Sequence, residues 1–194
     1  MIVLPTAQAT PKLAADAVRP TSPDEREQIV QVAIEASVFT PHEVATVAEM
    51  LDAYYDDPEA SGYHFLSCRE AGRALGFACW GPRDLAMHAF DLYWIAARPD
   101  AQRRGIGRRL MEAVEAQAGA RGGGWMWVET SDTPVYAAAR ALYERCDYRR
   151  LALLPDFYRS GDGLAIYVKW IESSGRVVAR SGRVVEWSGG RVVR

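Results

Sequence analysis

Apolar positions along the chain recur with two different spacings. Between residues 23 and 54 they fall every three or four places. Ile29, Val32, Ala33 and Ala36 share one helical face behind the acids of Pro23-Asp24-Glu25, and Val44, Val47, Met50, Leu51 and Tyr54 share another. The second helix has a marked start, with Thr40 as N-cap, Pro41 at the first helical position and Glu43 completing a capping box. Asp56-Asp57-Pro58 stops it. The spacing then shortens to two. Residues 63–69 and 74–80 form strand-like runs around Glu70-Ala71-Gly72-Arg73, which predicts a hairpin. Gly81-Pro82-Arg83-Asp84 reads as a loop, and the run DLYWIAAR from Asp91 as a buried strand closed by Pro99. Helical spacing returns at Ile106, Leu110, Val114 and Gln117/Ala118 and is broken by the glycines of 119–124. A very apolar strand, WMWVE, covers 125–129. Thr133-Pro134 opens a further helix, with Tyr136, Ala139, Leu142 and Tyr143 on related faces. A strand over 148–154, a turn around 155–158, a second turn at 161–163 and a strand over 164–171 follow. A short edge strand at 17–20 precedes everything, limited by Pro20, which cannot donate to a ladder. The order β-α-α-β-β-β-α-β-α-β-β predicts one α/β domain, a mixed sheet with helices on both faces.

The ends of the chain are of another kind. Residues 1–16 read as a loose leader and 17–171 as the folded domain. Residues 172–194 read as a Gly/Ser/Arg/Val tail in which Ser174-Gly175-Arg176-Val177-Val178, Ser181-Gly182-Arg183-Val184-Val185 and Gly189-Gly190-Arg191-Val192-Val193 are near-copies. Units this short and few do not make a solenoid. They read as low-complexity chain, the competing reading being a basic appendage that touches a partner. A length of 194 residues is enough for a full core, and a net charge of −2 supplies no general attraction to nucleic acid or an anionic membrane. The three cysteines, Cys68, Cys79 and Cys146, are odd in number and far apart, which fits a reducing, cytoplasmic setting and no disulfide framework. No Cys/His spacing suits a metal, no basic and apolar start suits a signal peptide, and no apolar run approaches the length of a membrane span.

The chemistry-bearing stretch is the junction between the strand at 91–98 and the helix that follows. Gln102-Arg103-Arg104-Gly105-Ile106-Gly107 sits on that strand-to-helix turn. Glycines there let backbone come close to a ligand, and the free first-turn N–H groups of a helix favour phosphate. Arg103, Arg104 and Arg108 add positive charge. Neither Gly-x-Gly-x-x-Gly nor a P-loop pattern is present. Gln-x-x-Gly-x-Gly in this context resembles the acyl-CoA pyrophosphate loop of the GNAT N-acetyltransferase superfamily, and the order of elements over about 17–171 follows that family.

The resemblance implies a splayed central mixed sheet and acetyl-CoA as co-substrate, with no metal. It implies an acceptor that is a primary amine of a small molecule or peptide, attacked directly in a ternary complex because no placed nucleophile is apparent. It implies no nucleic-acid or membrane partner and leaves a homodimer open. By the same resemblance the backbone of Trp94, Ile95, Ala96 and Ala97 would hold the pantetheine, and that of Gln102, Arg103, Arg104, Gly105, Ile106, Gly107 and Arg108 the pyrophosphate. The helix Tyr136-Ala137-Ala138-Ala139-Arg140-Ala141-Leu142-Tyr143 resembles the family's second CoA motif, with Tyr136 where asparagine is usual, and adds Tyr136, Arg140 and Tyr143 to the cofactor contacts. Tyr143 would also be the general acid toward the leaving thiolate, since a phenol of pKa near 10 is protonated at neutral pH. Packing is its competing role. Asp91 falls where a catalytic glutamate stands in the histone-modifying branch. It would take the amine proton through a water, or else is a strand-end structural carboxylate. His88, Glu129, Asp84 and Glu49 are other candidates for the base. Trp80 and Tyr158 are acceptor-side candidates, whereas Trp125 and Trp127, alternating in a strand, read as core, and Cys146 as a buried thiol. A non-catalytic acyl-CoA-binding module is the alternative function.

Overall fold

A computed structural model of the chain describes residue 14 and residues 17–174; the leader, apart from Ala14, and the tail from Gly175 onward, with all of its repeats but Ser174, lie outside the described residues. The elements are β1 (Val18–Pro20), a 3-10 turn (Pro23–Glu25), α1 (Arg26–Glu35), α2 (Pro41–Asp56), α3 (Pro58–Ser61), β2 (His64–Glu70), β3 (Arg73–Pro82), β4 (Ala89–Ala97), α4 (Ile106–Ala120), β5 (Gly124–Ser131), α5 (Ala137–Arg145), β6 (Arg149–Arg159) and β7 (Asp162–Ile171). They form a seven-stranded sheet in the order β1-β2-β3-β4-β5-β7-β6. Every neighbouring pair is antiparallel except β4 with β5. The fold is a mixed α/β sheet with helices on both faces, as the spacing predicts.

Local chemistry explains the junctions. Thr40 Oγ1 accepts from the Glu43 amide at 3.2 Å while the Glu43 carboxylate accepts from the Thr40 amide at 2.7 Å, the expected capping box of α2. The β2–β3 loop is two residues long, Ala71 and Gly72, both left-handed, so it turns tightly enough to keep the strands in register. Two expected turns are corrected. Gly81 and Pro82 end β3, paired with Asp91 and Phe90, rather than forming a loop. Pro82 lies past the start of β2 at His64, which pairs with Trp80, so on that side its missing N–H leaves no ladder bond unmade. The turn expected at 155–158 is instead an irregularity within β6, where register shifts between Leu154 and Arg159 and Asp156 is left-handed (φ 55°). β6 is the sheet edge, so Pro155 can sit where no N–H is required.

The core lies on both sides of the sheet. Leu110, Met111 and Val114 of α4 pack with Met126, Val128 and Tyr167 on one side. On the other, Ile29, Val32, Val47 and Leu51 of α1 and α2 pack with Phe65, Phe77 and Cys79. The second layer covers β2 to β4 and stops short of β5. This corrects the core role expected for Trp125 and Trp127. Met126 and Val128 take the α4 side, so the two tryptophans emerge on the uncovered face, Trp125 exposed and Trp127 half-buried. Glu25 is fully buried and ties the first turn to the sheet. Its carboxylate accepts from the Ser67 hydroxyl at 3.0 Å and pairs with Arg69 at 2.5 Å and with Arg19.

Candidate active site

The site begins where two strands part. β4 pairs in parallel with β5 only over Ala89–Leu92, against Trp125–Val128. Beyond that point β5 pairs with β7 alone, through Ser131, while β4 pairs with β3 alone, through Ala97. One edge of β4 from Tyr93 onward therefore faces a gap with its backbone groups unclaimed by a strand. A bulge marks the parting. Trp80 opposes Leu92 and Cys79 opposes Trp94, which leaves Tyr93 without a partner residue. The gap is a cleft of about 1620 Å³, ample for an extended cofactor arm plus a small acceptor. Residues 93–97 line it, along with Phe39, Gly105, Ile106, Tyr143 and Tyr158. Trp94 Nε1 donates to Met50 Sδ at 3.1 Å, and its ring meets Phe39 edge-on at 5.3 Å, so this side chain anchors the strand in the α2 layer.

At the mouth of the cleft the chain turns into α4. Arg103 (φ 60°) and Gly105 (φ 80°) are both left-handed, which curls successive amides toward one side. The first helix bond runs from the Arg109 amide to the Gly105 carbonyl at 3.1 Å, so the amides ahead of it lack intrahelical partners and could take a diphosphate. The two glycines have different reasons to be glycine. A Cβ on Gly105 would meet open space, and only its backbone angle demands the residue. A Cβ on Gly107, which lines the cleft, would lie 2.8 Å from Leu142 Cδ2, so Gly107 also lets α4 and α5 approach one another, a helix contact absent from the sequence expectation. Arg104 is a second correction. Its guanidinium bonds Glu70 at 2.6 Å and lies outside the cleft lining, leaving only its backbone to the turn. Arg103, Arg108 and Arg145 make the basic side of the cleft, Arg108 being shared with Glu112 at 2.8 Å.

From α5, Tyr143 is 5% exposed yet lines the cleft, held by ring contacts with Tyr148 and Tyr167. No hydrogen bond joins its hydroxyl to a described residue, and burial pushes its ionisation well above the ordinary phenol value. Tyr136 also lines the cleft, but its hydroxyl donates to the Val38 carbonyl at 2.9 Å, fastening this segment to the α1–α2 loop. Arg140 corrects the expected cofactor contact. Its Nη1 donates to the Ser131 and Thr133 carbonyls at 2.7 and 2.8 Å, closing the end of β5, and it does not line the cleft. Cys146 is buried with its thiol pushed up by burial, so it rests protonated.

The other half of the cleft is built by the β3–β4 loop, β4, β5 and β6. Asp91 lines it, half-buried, with its Oδ1 2.5 Å from Arg83 Nη1. Burial raises the Asp91 ionisation above the ordinary carboxylate value and outweighs the lowering by Arg83. Arg83 lies with its Cζ 4.7 Å from the Trp127 ring centre and Nη2 4.0 Å from Glu129, which in turn accepts the Trp127 indole N–H at 2.8 Å. Tyr158, Glu43 and Asp84 complete this half. Trp80 is corrected: it is fully buried against Phe90 and His64 and does not wall the acceptor side. His88 and Glu49 do not line the cleft either, so Asp91, Glu129 and Asp84 remain of the proposed bases.

Sequence reasoning missed Arg83, Tyr93 and Arg145. Tyr93, with its phenol pushed up to about 12 by burial and then by Asp91, sits at the bulge, which spacing alone cannot reveal. Arg83 stood in a segment assigned to a loop.

Comparison with known proteins agrees with this geometry. A family model described as an acetyltransferase (GNAT) domain matches residues 61–150. A GNAT-family protein of known structure from Desulfovibrio desulfuricans is 35% identical, with a TM-score of 0.77 over 80% of this chain and 98% of that one. The [ribosomal protein bS18]-alanine N-acetyltransferase of Escherichia coli K12 is 36% identical over 72 residues, 37% of this chain and 47% of the relative, so the match spans about half the length of that curated protein. An aminoglycoside 6'-N-acetyltransferase in complex with coenzyme A shares the fold at 15% identity, with a TM-score of 0.63 over 79% of this chain and 96% of that one. From the parted strands, the turn before α4 and these matches together, the chain belongs to the GNAT acetyltransferase family.

Proposed function

We propose that residues 17–171 transfer an acetyl group from acetyl-CoA to a primary amine by direct attack in a ternary complex. The parting of β4 from β5 after Leu92 carries this reading, because it leaves an unpaired strand edge beside a cleft that both Asp91 and Tyr143 line. Acetyl-CoA supplies the acetyl group as a thioester. The free backbone groups of β4 from Tyr93 to Ala97 bind the pantetheine in the manner of an added strand, and the amides of 103–108 with Arg103 and Arg108 neutralise the pyrophosphate. Asp91 takes a proton from the acceptor ammonium, directly or through a water. The amine nitrogen then forms its bond to the acetyl carbon as the carbon–sulfur bond breaks, with Tyr143 donating a hydrogen bond to the sulfur as it gains charge; the second proton shed by the nitrogen passes to the thiolate, giving the amide and the free CoA thiol, and Asp91 returns its proton to solvent. Cys146 takes no part, since its buried thiol rests protonated and no histidine lines the cleft among the described residues. A relative named for a protein amine and a structural neighbour named for an aminoglycoside both support an amine acceptor. The test is thiol release from acetyl-CoA over a panel of amines, beside calorimetric CoA binding. Acetyl-CoA binding with no turnover across the panel would reduce the protein to an acyl-CoA-binding module, and absence of binding would remove the site itself.

A further inference from the structure

Within the acceptor half, the ion pair between Arg83 and Asp91 has a consequence for which amines can react. Asp91 lies one residue before the last pair that joins β4 to β5, yet its Oδ1 is already engaged by Arg83 Nη1 at 2.5 Å. An incoming ammonium must therefore compete with a guanidinium for the same carboxylate, and the two cations repel each other at short range in a half-buried site. Arg83 is held beside Asp91 by further contacts. Its guanidinium lies over Trp127 at 4.7 Å and near Glu129 at 4.0 Å, while its backbone amide bonds the Ala89 carbonyl at 2.9 Å. It nevertheless keeps open donors, since a guanidinium has five N–H groups and 38% of this side chain is exposed, on the cleft that it lines. A fixed, partly open guanidinium beside a carboxylate is a matched receptor for a molecule carrying the opposite pair of charges.

We propose that Arg83 is the specificity-determining residue of the acceptor site and that the acceptor is an α-amino acid, its carboxylate paired with Arg83 and its ammonium with Asp91. The inference rests on the acetyl-transfer reading above. The acceptor carboxylate takes over the guanidinium by a paired hydrogen bond, the geometry Arg is suited to. Asp91 is thereby released toward the ammonium, and four charges alternate in sign where two like charges would otherwise meet. A carboxyl-free amine releases nothing and meets Arg83 unneutralised. Because Arg83 and Asp91 are in direct contact, the acceptor's two groups must also be close together, as they are across the single α-carbon of an amino acid.

The experiment compares free α-amino acids with their α-carboxamides in the acetyl-CoA assay, for the wild-type protein, Arg83→Gln and Arg83→Lys. Loss of a charge-assisted hydrogen bond to a carboxylate corresponds to roughly 10- to 150-fold. The wild-type protein should prefer acids over amides by that factor in kcat/KM. Arg83→Gln should lose the preference through a raised KM for the acid, with the KM for acetyl-CoA unchanged, and Arg83→Lys should restore part of it. A wild-type preference for amides, or a preference for acids that Arg83→Gln retains, would overturn the assignment while leaving acetyl transfer standing. If CoA binds but no panel member turns over, transfer itself fails. Calorimetry of amino acids against the CoA complex then decides on Arg83: carboxylate-dependent binding lost in Arg83→Gln upholds it, and carboxylate-independent binding or none at all refutes it.

Discussion

Replacing Tyr143 by phenylalanine separates its chemical role from its packing role. The ring is 5% exposed and wedged against Tyr148 and Tyr167, and its hydroxyl bonds no described residue, so the substitution should leave the melting temperature unchanged within a few degrees. The kinetic cost follows from acidity. An ordinary phenol ionises near 10 and an ordinary thiol near 8.5, so full proton transfer to the sulfur is uphill by about 1.5 pK units, or roughly 2 kcal/mol. Burial raises Tyr143 further and makes the transfer steeper. Tyr143 is therefore better suited to donate a hydrogen bond to the growing thiolate than to surrender its proton. A hydrogen bond to a charged group contributes about 1.5–3 kcal/mol, which converts to a fall in kcat of roughly 10- to 150-fold in Tyr143→Phe, with the KM for acetyl-CoA little changed. The same burial fixes the pH behaviour. Because desolvation disfavours the phenolate, the group stays protonated beyond its ordinary value of about 10, and wild-type activity should show no alkaline loss attributable to Tyr143 below that pH. Steady-state thiol release across pH, with an accepted amine, reads both effects. A kcat within twofold of wild type would return Tyr143 to packing. An alkaline limb below pH ~10 that vanishes in the Phe variant would refute the desolvation argument.

Four further outcomes are expected. Asp91 is raised by burial and lowered by Arg83, with Glu129 and Asp84 raising it, so kcat/KM should fall as pH drops through a value above the ordinary carboxylate; in Arg83→Gln that acid limb should move up, and an unmoved limb would deny Asp91 the role of base. Gly107→Val should push Leu142 and with it α5, abolishing the thermal stabilisation by acetyl-CoA. Gly105→Ala, strained by about 1–2 kcal/mol but unobstructed, should retain most of it, and the reverse ranking would contradict the packing role of Gly107. Glu25→Gln leaves Arg69 facing a buried neutral group and should cost about 3–5 kcal/mol in urea unfolding, a loss under about 1 kcal/mol being incompatible with a structural ion pair there. A chain ending at Ser174 should melt within a few degrees of the full chain, since β7 is complete at Ile171 and the Ser174 amide already bonds the Gly119 carbonyl at 3.0 Å; insoluble or CoA-blind truncated protein would assign the tail a structural part.

The two halves of the cleft differ in how far the sequence reveals them, and the reason is geometric. The half at the β4–α4 junction is nearly continuous chain. The end of β4, the turn at 102–105 and the start of α4 follow one another, so periodicity finds the elements and the glycines find the turn. Even there spacing could not tell that Gly107 faces Leu142, that Arg104 is spent on Glu70 or that Arg140 closes β5, because each depends on a partner at least seven residues away. The other half is assembled from four places: Arg83 past β3, Asp91 on β4, Trp127 and Glu129 on β5, and Tyr158 on β6. Which face Trp127 presents depends on how far α1 and α2 extend across the sheet, and no window of residues contains that. Periodicity in β5 correctly separates Trp125 and Trp127 from Met126 and Val128, but period two has no sign, and the larger residues read as core because apolar bulk is usually buried. The sign is set across the sheet. α4 already fills the Met126 side with Leu110, Met111 and Val114, while the opposite layer ends at β4. Trp127 is thereby left uncovered by a helix beside Asp91, and its ring face becomes the surface on which Arg83 rests. The half of the cleft around Asp91 thus takes its shape from where a helical layer stops.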